Sequence, residues 1–164
     1  MTPKRSRRPA EALAAAAALA VLSLAACSPG GPPGVDRDTL DAEVSRAIGD
    51  PASCLLIARK GSGRLVYRYN SATTCDRELP ACGAPGKTKV AHLLAATARD
   101  GQPRALSCNS AADASRGVGW AAGPIAGTDL VYAAAMEGDR TFPGRMMADR
   151  LDSAFRRAKV AKAP

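Results

Sequence analysis

Two periods of hydrophobic recurrence alternate along the chain, and each switch marks an element. Leu40, Val44, Ala47 and Ile48 recur at helical spacing, which predicts a helix opened by Asp36 or Asp38 and stopped by Gly49-Asp50-Pro51. Cys54 to Ala58 is a short apolar run, and Arg64 to Tyr69 alternates apolar with polar. With the turn residues of 59–63 between them, they predict a β-hairpin. An irregular loop over 70–86 follows. Lys87 to Asp100 then predicts a helix with Val90, Leu93, Leu94 and Thr97 on one face, ended by Gly101. Arg104 to Cys108, Gly117 to Ile125 and Leu130 to Met136 predict three further strands. Pro143 opens a last helix striped by Met147, Leu151, Ala154, Phe155 and Ala158.

The order helix, two strands, helix, three strands, helix predicts an α+β domain over 38–164: a mostly antiparallel five-stranded sheet flanked by helices. Ahead of it, Ser28 to Val35 is built largely of proline and glycine. This predicts a tether, with residues 27–37 joining the domain to whatever precedes it.

What precedes it has a different pattern. Lys4, Arg5, Arg7 and Arg8 stand before an uncharged, alanine-rich run from Ala12 to Ala26. The run is shorter than the ~20 residues a membrane-spanning helix needs, and alanine is only weakly apolar, so an export signal is the better reading. The closing Leu24-Ala25-Ala26-Cys27 resembles the lipobox of bacterial lipoproteins; a simple secretory signal is the rival. The resemblance implies that residues 1–26 are removed and that Cys27 becomes an acylated first residue, carrying diacylglycerol on sulfur and usually a palmitate-type chain on nitrogen. The partner it implies is a lipid bilayer. Ser28, where an aspartate would favour retention in the inner membrane, implies the outer membrane facing the periplasm.

Charge and cysteine count sharpen this picture. The chain carries a formal charge of +8, part of it in the export segment. No block of lysine and arginine is paired with aromatics as a nucleic-acid surface needs, and the export signal argues against that partner, so nucleic acid is not expected. Five cysteines are an odd number. With Cys27 assigned to lipid, Cys54, Cys75, Cys82 and Cys108 remain, an even set that reads as two disulfides in an oxidising compartment with three connectivities open. The short loop favours Cys75 with Cys82, which leaves Cys54 with Cys108. The spacings are not those of a zinc site and the chain has one histidine, so neither metal nor cofactor is expected.

Three stretches bear on chemistry. Ala81 to Thr88 resembles a Walker A phosphate loop with alanine for its first glycine, but no hydrophobic strand leads into it. Cys82 as a thiol nucleophile would need a base. His92 lies ten residues on, roughly 15 Å along a helix, which is too far to serve. The element order also resembles the α/β part of penicillin-binding proteins and serine β-lactamases, with local likeness in Gly63 to Asn70, Val118 to Gly123 and Val131 to Glu137. That family needs Ser-x-x-Lys at the central helix and Lys-Thr-Gly on a strand. Here Pro80 to Pro85 stands in place of the first, with Cys82 at the serine position. No Ser-x-x-Lys occurs, and Lys87-Thr88-Lys89 precedes a helix. The resemblance therefore implies a reduced relative without catalytic residues. Profilin-like and roadblock-like interaction domains share the same order. The expectation is a lipid-anchored envelope protein whose domain binds an envelope protein or cell-wall partner. The alternative is a reduced hydrolase acting on peptidoglycan peptides or β-lactams.

Overall fold

A computed structural model describes residues 30–161. The expected signal segment and Cys27 lie outside the described residues. The first helix, α1 (Arg37–Ile48), begins where expected: Asp36 accepts a hydrogen bond from the Thr39 backbone N–H at 2.8 Å. Strands β1 (Cys54–Arg59) and β2 (Leu65–Tyr69) form the hairpin. A short helix α2 (Ala72–Cys75) and a two-stranded ribbon, β3 (Leu79–Pro80) with β4 (Lys87–Thr88), occupy the stretch expected to be loop. Helix α3 (Val90–Asp100) therefore starts later than its sequence suggests, and Lys87 and Thr88 belong to a strand. Gly101 closes it in the left-handed conformation at φ +69°. Strands β5 (Arg104–Asn109), β6 (Gly117–Pro124) and β7 (Leu130–Gly138) follow, then helix α4 (Gly144–Arg157).

The five long strands form one antiparallel sheet in the order β2-β1-β7-β6-β5, so the expected α+β architecture holds. Strand β7 lies at the centre and is buried from Leu130 to Glu137, because helices cover both faces of the sheet. On one face Leu55, Ile57, Ala121, Tyr132, Ala134 and Met136 meet α1 and α4. Tyr132 and Phe155 stack edge to face, 5.1 Å between ring centroids. On the other face Leu56, Ala58, Trp120, Val131, Ala133 and Ala135 meet α3. Alternation along each strand sends successive side chains to opposite layers, which explains why β6 and β7 read as continuous apolar runs.

Small residues set the closeness of the layers. Phe142 crosses directly over Gly119, and the first turn of α4 lands on the backbone of β5 and β6 at Gly144. The Gly144 N–H donates to Ser107 Oγ at 2.8 Å. Helices α1 and α4 run antiparallel and are tied by Glu43, which accepts from Arg157 at 2.6 Å and pairs with Arg46 at 2.8 Å. The Arg157 hydrogen bond holds the Glu43 carboxyl below its ordinary range.

Among the described residues, the ends of the five long strands and of α1, α3 and α4 fall at two poles. One pole gathers the β1–β2 turn, the β6–β7 turn, the ends of α3 and α4, and the start of α1. The chain arrives there already attached: Gly31 N–H donates to Val66 O at 3.0 Å, Pro32 is buried, and Val35 packs on the core. Within the stretch expected to be a free tether, residues 31–35 are thus laid against the domain. No helix of the described residues is long and apolar enough to cross a membrane.

Candidate functional site

The cysteines pair, but not as the loop lengths suggested. Cys54 is bonded to Cys75 and Cys82 to Cys108. The expected Cys75–Cys82 and Cys54–Cys108 pairs are incorrect. Shortness of a loop in sequence says nothing about direction in space: the stretch from Cys75 to Cys82 runs away from β1, while α2 folds back onto its start. Cys54 and Cys75 are buried at 1% and 4% exposure, so this bridge belongs to the core beneath α3.

The Cys82–Cys108 bridge has a different setting. It staples the tip of the β3–β4 ribbon to the edge strand β5. Around the tip, Ala81 N–H donates to Gly86 O at 3.1 Å and Gly83 N–H to Ala81 O at 2.8 Å, and Cys82 has a positive φ of 60°. The Trp120 indole N–H, from the buried face of β6, donates to Pro80 O at 2.8 Å. Gly83 lies against Leu106, whose side chain remains 36% exposed. The phosphate-loop likeness fails on this geometry. Its glycines belong to a hairpin tip, and its lysine and threonine lie on a strand rather than at a helix N-terminus, so no dipole or row of free N–H groups faces a ligand. Cys82 is no nucleophile while it is bonded, and His92 points outward, exposed, from α3. The place where the hydrolase resemblance would seat a nucleophile, between the start of the central helix and the edge strand, is closed by a covalent clamp.

At the same pole, beyond the ribbon, Glu137 is a junction that sequence reasoning did not anticipate. Its carboxylate accepts from Arg116 Nε and Nη2 at 2.9 and 2.8 Å, from Arg77 Nη2 at 2.9 Å and from Ser110 Oγ at 3.0 Å. The side chain is 7% exposed. One carboxylate thereby ties β7 to the loop after α2 and to the β5–β6 loop. A sequence signal existed, since a charged residue closing a buried apolar strand needs partners. Those partners lie 60, 21 and 27 residues away, beyond any local pattern. The Arg116 hydrogen bonds hold the carboxyl at about 2, against an ordinary 4.5, with Arg77 and Ser110 adding to the effect. A depressed carboxyl stabilises the fold above its unfolded value, and that contribution disappears as pH falls through the folded value. Glu137→Gln is expected to lower unfolding free energy by about 2–3 kcal/mol at neutral pH. The difference from the wild type should shrink between pH 4.5 and about 2, as urea denaturation at several pH values would show.

The opposite pole holds an open groove of about 680 Å³ between the arriving chain and the β6–β7 turn. Pro32, Pro33 and Val35 form one wall, and Thr128, Asp129 and Leu130 the other, with Lys159 and Val160 closing the side. Arg59 reaches into it and pairs with Asp129. Lys159 follows the end of α4 in a left-handed conformation, φ 58°, which turns its side chain out of the helix line. No sequence pattern pointed here, because the lining residues come from four separate turns. Among the described residues, no three of His, Cys, Asp and Glu gather closely enough to hold a metal ion.

Comparison with protein-family models, with curated proteins and with solved structures found no match for this chain.

Proposed function

We propose that this chain is a lipid-anchored protein of the cell envelope, held by acylated Cys27 on the periplasmic side of an outer membrane, whose domain binds a partner rather than turning over a substrate. The anchor rests on the charged start, the short uncharged run and the Leu24-Ala25-Ala26-Cys27 ending. Two or three acyl chains on one residue hold stably, at about 0.8 kcal/mol per buried methylene, so the domain needs no hydrophobic span of its own. The partner is an envelope protein or a cell-wall polymer.

The observation that carries the binding reading is the stapled ribbon. A hydrolase of the kind the element order resembles needs an activated nucleophile in an open cleft beside its edge strand. Here Cys82–Cys108 and the Trp120–Pro80 hydrogen bond lay a rigid hairpin across that strand. The chain offers no serine–lysine pair to work there.

The test uses membranes from cells expressing the wild type and Cys27→Ala. The wild type is expected in the membrane fraction with acyl groups on Cys27 and the variant without acyl groups, with neither labelled by a fluorescent penicillin. Covalent labelling of the domain overturns the binding reading, and a wild type that carries no acyl groups overturns the anchor.

A further inference from the structure

We infer that the pole at which the chain joins the domain is a membrane-facing surface that takes anionic phospholipid headgroups. The inference rests on the reading of Cys27 as the acylated residue and adds to it an orientation and a lipid preference. Its geometry begins with Gly31, which is hydrogen-bonded to β2 through Val66 O. Four residue steps separate Cys27 from Gly31. At no more than ~3.6 Å per residue, that is a reach of about 14 Å. The glyceryl group on Cys27 sits at the level of the lipid glycerols, and the interfacial layer above it is itself about 5–8 Å thick. With so short a reach this pole stays within about 6–9 Å of the headgroup layer, whereas the Glu137 pole faces away.

The side chains at this pole suit that position. Lys60 and Arg64 stand exposed on the β1–β2 turn, and Lys159 stands exposed after α4. None of the three has an ion pair among the described residues. The Lys60 ammonium lies above Gly101, held over the end of α3 by a turn whose Gly61 N–H donates to Ala98 O at 2.8 Å. The acids nearby are largely engaged. Asp129 pairs with Arg59, Asp100 with Arg104, and Asp36 caps α1; Asp38 is the exposed exception. The groove between Pro33 and Lys159 opens beside the arriving chain, with the Arg59–Asp129 pair on one wall, the Lys159 cation on another and volume for a headgroup phosphate. At the far pole acids and bases intermix, with Asp76, Glu78, Asp113 and Asp139 exposed beside Lys87 and Arg145.

A basic residue at an anionic surface improves partitioning by about fivefold, so three together reach about a hundredfold. For an anchored protein this gain appears as orientation, because the acyl chains already hold it at the bilayer.

The mature acylated protein, purified in detergent, is reconstituted into vesicles of phosphatidylcholine alone or with phosphatidylglycerol added. A water-soluble amine-acylating reagent then modifies its lysines, and peptide mass spectrometry reads each site. Lys60 and Lys159 are expected to be protected about fivefold on the anionic vesicles relative to the neutral ones. High salt should abolish the protection. Lys87 and Lys89, at the other pole, should label alike on both. The Arg64→Glu/Lys159→Glu protein should float with both kinds of vesicle yet lose the protection of Lys60. Equal labelling of Lys60 and Lys159 on both vesicles, with the protein floating with both, overturns the inference and leaves the anchor standing. A protein that lacks acyl groups at Cys27 and fails to float with neutral vesicles overturns the anchor, and this inference with it.

Discussion

Gly144→Ala is expected to destabilise the domain by about 4 kcal/mol or more, a large share of the roughly 5–15 kcal/mol that holds a domain of this size folded. A Cβ there would stand 2.6 Å from Leu106 O and 2.7 Å from Leu106 N, and closer still to Trp120 O. All three are backbone atoms of paired strands, so no side chain can turn aside. Helix α4 would have to lift from the sheet, opening the interface where Met147, Leu151 and Phe155 are fully buried. Gly119→Ala should behave similarly, since its Cβ would press on the Phe142 carbonyl and lie 3.0 Å from Met147 Sδ. Two controls isolate the cause. Ser107→Ala removes only the hydrogen bond to the Gly144 N–H and should cost about 1 kcal/mol. Gly30→Ala meets open space and should change stability by less than about 0.5 kcal/mol. Urea denaturation followed by far-UV circular dichroism separates these outcomes. A Gly144→Ala protein as stable as the wild type would mean that α4 does not rest on β5 and β6 as described.

Opening both disulfides is the other change expected to have a large effect. The bridges span sequence separations of 21 and 26 residues. For loops of that length, constraint of the unfolded chain contributes about 3 kcal/mol each. Replacing one pair by alanines should cost about that much, and replacing both pairs should leave the domain largely unfolded at body temperature. The order of reduction should follow exposure. Cys54 and Cys75 lie in the core, whereas Cys82 and Cys108 are only partly covered, so a mild reductant should open the ribbon staple first. Timed alkylation with mass spectrometry reads that order. Release of Cys54–Cys75 first would contradict the burial described, and joint release of Cys54 with Cys108 or of Cys75 with Cys82 would contradict the pairing.

These two results bear on what the sequence could reveal. The long elements were legible because each is either a stripe at helical spacing or an apolar run bounded by turn residues. The α1 stripe of Leu40, Val44, Ala47 and Ile48 and the α4 stripe each mark one buried face of a helix, whereas the run to Tyr69 has Val66 and Tyr67 buried in succession. Element order then led to the antiparallel sheet. The ribbon was not legible, because two-residue strands at Leu79–Pro80 and Lys87–Thr88 are too short for a period. It carried Lys87 and Thr88 out of the expected helix. Disulfide partners, the Glu137 junction and the groove all depend on residues at least 21 positions apart, beyond any local pattern. Composition constrains such contacts without naming them. In sequence Gly119 is one position of the strand expected over 117–125 and Gly144 is part of a break; only the approach of α4 to the sheet shows that they are contact points.

The anchored, doubly bridged mature form is the claim on which the rest depends, and the intact mass of the protein extracted from membranes tests it most directly. The expected mass is that of residues 27–164 plus glyceryl and acyl groups, unchanged by a thiol-alkylating reagent and gaining four alkyl groups after reduction. A mass corresponding to residues 1–164 without acyl groups, or alkylation before reduction, would contradict it.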